Sequence, residues 1–122
     1  MILRWGSLAL LIAAATLARS AKPPPRSPAM LELGKTTYSI YCISCHGEHG
    51  AGDGSVAQTL NPRPRNFSTD RFKQGTRVTQ IFETLGKGVP GTAMTKFTNL
   101  SEDERWAVAW YVLELKNGNA RH

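Results

Sequence analysis

The sequence predicts an all-α domain, and three observations predict it. Apolar residues recur at helical spacing in three separate segments. No segment alternates apolar and polar residues as a half-buried strand would. The turn-forming residues gather in one long stretch between the first two helical segments. At 122 residues the chain has room for one domain of ordinary size. A domain this small buries a limited share of its surface and often depends on a staple or a cofactor.

Residues 1–20 read as an export signal. Arg4 supplies a short basic start, Leu8 to Ala18 is apolar except for Thr16, and small residues follow at Ala18 and Ser20. The competing reading is an uncleaved membrane tether. The apolar run falls short of the ~20 residues that a spanning helix needs. Residues 21–29 form a Pro-rich leader, expected to be extended and solvated. The folded domain is expected over residues 30–118, with residues 119–122 as a frayed tail.

Met30 to Tyr41 reads as the first helix. Met30, Leu33, Thr37, Tyr38 and Tyr41 share one face. Gly34 lies one turn before Tyr38, and a glycine inside a helix points to a close packing partner. Residues 42–75 carry Gly47, Gly50, Gly52, Gly54, Pro62, Pro64 and Gly75, so they should be mostly loop. A loop this long needs something to pack against. Val78, Ile81, Phe82 and Leu85 define a middle helix that stops at Gly86. Val89-Pro90-Gly91-Thr92 fits a type II turn. Ser101 to Glu104 is a capping box with acidic residues at the positive end of a helix dipole. The helix it starts carries two adjacent stripes, Trp106, Ala109, Trp110, Leu113 and Val108, Tyr111, Val112, Leu115. Lys116 and Gly118 mark its end.

The chain has 15 basic and 9 acidic residues, a net charge of +6, spread along its length. Arg63, Arg65, Arg71, Lys73 and Arg77 form one local cluster. Few aromatics interleave it and no nucleic-acid motif is present, so it reads as a solvated face or a docking patch for a protein partner, not a DNA site.

Cys42-Ile43-Ser44-Cys45-His46 is the C-x-x-C-H spacing of covalent haem attachment. Two thiols can add across the two haem vinyl groups, and the next residue's imidazole then reaches the iron. A thioredoxin-like site would need a strand before the motif. A structural disulfide would leave His46 without a role. A zinc site wants four ligands, and only His49 and His122 remain as further histidines. Met94 is the candidate for the opposite axial position. Met1 leaves with the signal, Met30 lies at a helix edge, and His49 is too close to His46 to reach the far face. His/Met ligation fills both axial sites and favours electron transfer.

Three stretches resemble the class I cytochrome c family, particularly its small bacterial single-haem members. They are Cys42 to Gly54 (CISCHGEHGAGDG), Gly88 to Met94 (GVPGTAM) and the L-S-x-x-E-x-W pattern that runs from Leu100 to Val112. The resemblance covers roughly residues 30–116. It implies the cytochrome c fold, with three main helices and loops wrapped around one covalently bound haem c. The first and last helices would cross, with Gly34 and Tyr38 against the Trp110 region. Cys42 and Cys45 would carry the thioethers, and His46 and Met94 would bind iron. Relatives often place proline after G-D-G, and its carbonyl accepts the histidine N–H. Ser55 stands there in this chain, so Ser55, Pro62 and Pro64 are alternative acceptors. Thr95 replaces another common proline. Arg65 is a candidate haem propionate contact, against the alternative of a solvent-exposed arginine. Phe67, Phe82, Phe97 and Trp106 are candidates for the haem pocket or the core.

The function these features imply is a periplasmic one-electron carrier, or the haem subunit of a dehydrogenase or terminal oxidase complex, not itself an enzyme. Its partners would be a redox donor and acceptor, with membrane contact only through an uncleaved N-terminus. The alternative from a different class is a haem enzyme or gas sensor with a displaceable Met94.

Overall fold

The structure, a computed structural model, describes Ile2 and residues 22–120. Apart from Ile2, the expected signal at 1–20 lies outside the described residues, as do the last two residues of the tail. Four α-helices and no strand occur among the described residues: α1 (Pro28–Tyr41), α2 (Ile43–His46), α3 (Val78–Lys87) and α4 (Glu102–Lys116). None of these helices is long and apolar enough to cross a membrane.

α1 begins two residues before Met30. Ser27 caps it by accepting from the Met30 N–H at 3.1 Å, and Pro28 occupies the first turn. Proline is tolerated there because the first N–H groups of a helix have no partner to lose. The leader before it is not simply solvated. The Pro24 carbonyl accepts a hydrogen bond from Trp110 Nε1 at 3.0 Å, and the Arg26 guanidinium pairs with the buried Glu114 carboxylate.

α1 crosses α4 at Gly34. A Cβ there would run into the Ala107 carbonyl and the Tyr111 side chain, so only hydrogen lets the two backbones come this close. One turn on, Tyr38 is 2 % exposed and meets the Tyr111 ring edge-to-face at 5.3 Å. The crossing partners are Ala107 and Tyr111, which bracket Trp110, so the crossing falls in the expected region of α4. Trp110 lies on the side of α4 that receives the leader. At 100° per residue, this side is about half a turn from Val108 and Val112.

α3 packs on α4 through Phe82, which stacks on Trp106 with ring centroids 3.7 Å apart and planes 9° apart. The Arg105 guanidinium covers the other side of Phe82 at 4.3 Å. α3 runs past the expected stop at Gly86 to Lys87 and ends on Gly88, at φ 72°. At the start of α4 the Ser101 hydroxyl accepts from the Glu104 N–H at 3.1 Å, as the cap motif predicts.

The stretch between α2 and α3 has no regular structure beyond a 3-10 turn at Ala57–Thr59. It folds back on α2 through backbone bonds from Gly52 N–H to the His46 carbonyl (2.8 Å) and from Gly54 N–H to the Cys45 carbonyl (3.1 Å). Phe67 N–H then bonds the Gly50 carbonyl at 2.7 Å.

Candidate functional site

A cavity of about 320 Å³ opens between α1, α3, α4 and the two long loops. Ile81, Leu85, Val108 and Val112 form its apolar wall. Cys42, Cys45, His46 and Met94 all line it, so the structure brings the four sequence-predicted residues to one place. Phe67 and Phe97 line it too, whereas Phe82 and Trp106 stack on each other in the core.

Cys42 ends α1 and starts α2, and Cys45 follows one turn later; both are free thiols. Burial, helped by the neighbouring Cys45, pushes the Cys42 thiol up to about 12, so it is protonated at neutral pH. His46 closes α2. Its Nδ1 lies 3.2 Å from the Arg65 carbonyl, so the Nδ1–H tautomer donates there and leaves Nε2 with a free lone pair. Burial lowers the His46 pKa, partly opposed by that carbonyl, so the neutral imidazole that a metal needs is the favoured form. The Phe67 ring stacks on the imidazole at 4.7 Å.

The acceptor for His46 is thus Arg65, one residue beyond Pro64, and not Ser55, Pro62 or Pro64. A backbone carbonyl leaves no residue-type signature, so only the run of the loop reveals it. The sequence also gave no sign that the Tyr38 hydroxyl donates to the buried Gly47 carbonyl at 2.7 Å, tying α1 to the residue after the motif. Burial raises the Tyr38 phenol well above its ordinary range, so it stays a donor.

Met94 is presented by a tight turn. Thr92 N–H bonds the Val89 carbonyl at 3.2 Å and Gly91 has φ 76°, the geometry expected of a type II turn. The Thr92 hydroxyl donates to the Val89 carbonyl at 2.7 Å and accepts from the Met94 N–H at 3.1 Å. Val89 N–H closes the loop on the Met94 carbonyl at 2.9 Å. The side chain is half-buried in the cavity wall.

Of the basic cluster, Arg63, Arg65 and Lys73 reach the cavity lining, while Arg71 and Arg77 do not. No acidic side chain lines it. Among the described residues no group of three His, Cys, Asp or Glu side chains could hold a metal by itself. Among the described residues no strand precedes the Cys-x-x-Cys pair, as a thioredoxin-like site would require. A donor set of one imidazole and one thioether on an apolar wall, beside two free thiols, suits a flat apolar group that brings its own metal and in-plane ligands. Haem is such a group, and these residues fit it.

No curated protein matches the chain. A solved chain of the Kuenenia stuttgartiensis reducing HAO-like protein complex is similar, at 33% identity and a TM-score of 0.72 over 78% of this chain. The match spans only 47% of that longer chain, about half its length. The Cytochrome c family model matches residues 31–116. That match runs from the first turns of α1 to the end of α4, so the chain belongs to the cytochrome c family, whose members transfer electrons through covalently attached haem c.

Proposed function

We propose that the protein is a periplasmic c-type cytochrome with a single haem, acting as a one-electron carrier or electron-transfer subunit and not as an enzyme. One observation carries the reading: two thiols, an imidazole already oriented through Nδ1, and a thioether on a braced turn all line one apolar cavity. Bound haem supplies a one-electron iron couple. Cys42 and Cys45 would hold it by thioethers, and His46 and Met94 would ligate its iron. The Arg65 carbonyl fixes the imidazole ring, and Arg65, a residue of the cavity lining, is a candidate contact for a propionate. Ile81, Leu85, Val108 and Val112 keep water from the buried face. Arg63 and Lys73, cationic and exposed at the mouth, offer a docking surface to an acidic redox partner. Ligation by both His46 and Met94 would favour electron transfer over substrate chemistry at the metal.

The solved relative belongs to an assembled complex, and the match spans only 47% of that longer chain. This favours, as a second reading, service as the electron-entry subunit of a larger oxidoreductase. Co-purification of the native protein, followed by haem absorbance, separates the two. A free carrier elutes alone, and a subunit elutes with its enzyme.

The ligand test is Met94→Ala in the holoprotein. The weak long-wavelength sulfur-to-iron band should vanish and the iron should gain affinity for carbon monoxide. Wild type that binds carbon monoxide readily would overturn the electron-carrier reading in favour of a gas sensor or haem enzyme.

A further inference from the structure

Lys116 marks the end of α4 in the sequence, and the structure gives it a second connection. Its ammonium donates to the Phe67 carbonyl at 3.0 Å and lies 5.2 Å from the Phe72 ring centroid. The segment it reaches has no helix or strand. Its local bonds are those of a small turn: Asn66 N–H to the Asp70 carboxylate at 2.9 Å and Asp70 N–H to the Asn66 carbonyl at 2.8 Å. The two groups that set the His46 ring come from the residue just before that turn and from within it. The Arg65 carbonyl receives Nδ1–H, and the Phe67 ring stacks on the imidazole face.

We infer that Lys116 is a positioning residue for the proximal histidine. It pins the 65–72 turn to α4, so that the Arg65 carbonyl and the Phe67 ring hold the His46 imidazole in one orientation. The inference rests on the reading of His46 as the iron ligand. The physical argument is one of anchoring. α4 is the best-buried helix, with Val108 and Leu115 fully enclosed. A loop alone would let the acceptor carbonyl drift, and one charge-assisted bond from a rigid helix restricts it. The Lys116 ammonium also lies over Phe72, which packs against Phe67 with ring centroids 5.5 Å apart.

The test uses the purified holoprotein, with Lys116→Met and Lys116→Arg beside wild type. Two readouts are taken: the exchange rate of the His46 Nδ1–H proton by NMR, and the reduction potential. Wild type must first show His46 ring signals shifted by the iron; without them the ligand reading itself fails, before any variant is compared. Given those signals, Lys116→Met should speed Nδ1–H exchange about tenfold, the loss expected for one hydrogen bond to a charged group. It should also raise the potential, because a looser Nδ1–H bond makes the imidazole a weaker donor to ferric iron, whereas lost charge alone would lower it. Lys116→Arg, which keeps charge and donors, should return both to near wild type. Unchanged exchange in Lys116→Met would overturn the inference. So would an arginine variant that restores the potential but not the exchange rate, since charge acting through space would then suffice. If Lys116→Met does not fold, Lys116→Leu, which likewise has no donor for the Phe67 carbonyl, takes its place with the same expected direction.

Discussion

Two regions meet at His46 and are held by different means. On one side α1 crosses α4 through side chains with no freedom left: Gly34 against Ala107, and Tyr38 against Tyr111. On the other, residues 47–75 wrap the cavity with no regular structure beyond the 3-10 turn at Ala57–Thr59. They are held by separate hydrogen bonds, among them those at Gly50, Gly52, Gly54, Arg65 and Phe67. The crossing depends on shape, where an added methyl is costly. The loop depends on point contacts, where each loss is modest and local. Helix packing thus supplies the rigidity, and the loop supplies the groups that touch the imidazole. The Tyr38 hydroxyl, bonded to Gly47, joins the two.

The largest effect should come from the crossing. Gly34→Ala would raise helix propensity by up to about 1 kcal/mol. The new Cβ, however, meets the Ala107 carbonyl, and a backbone group cannot rotate away. Overpacking of this kind outweighs propensity, so a net loss of about 3 kcal/mol is expected in chemical denaturation of the holoprotein. A neutral result would mean that α1 and α4 are separable, and that shape does not govern this side. Tyr38→Phe should follow at about 2 kcal/mol. It keeps the ring packing but leaves the buried Gly47 carbonyl without its donor. The thermal midpoint should fall while the helix content is unchanged. A larger fall than for Gly34→Ala would make the joint, and not the crossing, the main source of stability.

The same contrast decides what could be read from sequence. Helical spacing, the Ser101 cap and the Val89–Thr92 turn are local, so their residues announce them. Tyr38, Ile81, Phe82, Leu85 and Val112 fall on buried faces as their spacing predicts. Long-range contacts do not announce themselves. The His46–Arg65 bond spans 19 residues and uses a carbonyl that any residue carries. Trp110 sits one position from Tyr111, a turn of 100°, and that single step takes it from the crossing to the leader. Glu114, an acidic residue on a helix face, reads as exposed; it is buried because Arg26 lies 88 positions before it and folds across.

The leader gives the next test, since it is a point-contact region laid on a helix. Trp110→Phe removes the donor to the Pro24 carbonyl while keeping an aromatic ring. A cost of about 1 kcal/mol is expected. Proteolysis near residues 22–27 should speed up, with the haem spectrum unchanged, because Val108 and Val112 line the cavity from the other side of α4. A spectral change would mean that the leader braces the cavity and not only the helix.

The smallest effect should be at Gly91, whose positive φ favours glycine but whose missing Cβ would meet nothing within 4 Å. Alanine pays roughly 1–2 kcal/mol for that backbone conformation. It recovers part of this by restricting the unfolded chain, so the net loss should be about 0.5–1 kcal/mol. The Met94 loop has other supports: the Thr92 hydroxyl bonds on both sides, and Val89 N–H bonds the Met94 carbonyl. The sulfur-to-iron band should therefore survive in Gly91→Ala and disappear in Met94→Ala. If Gly91→Ala loses the band, the turn's backbone conformation, and not its hydrogen bonds, holds the thioether. The distal loop would then belong with the shape-governed crossing and not with the loop on the proximal side.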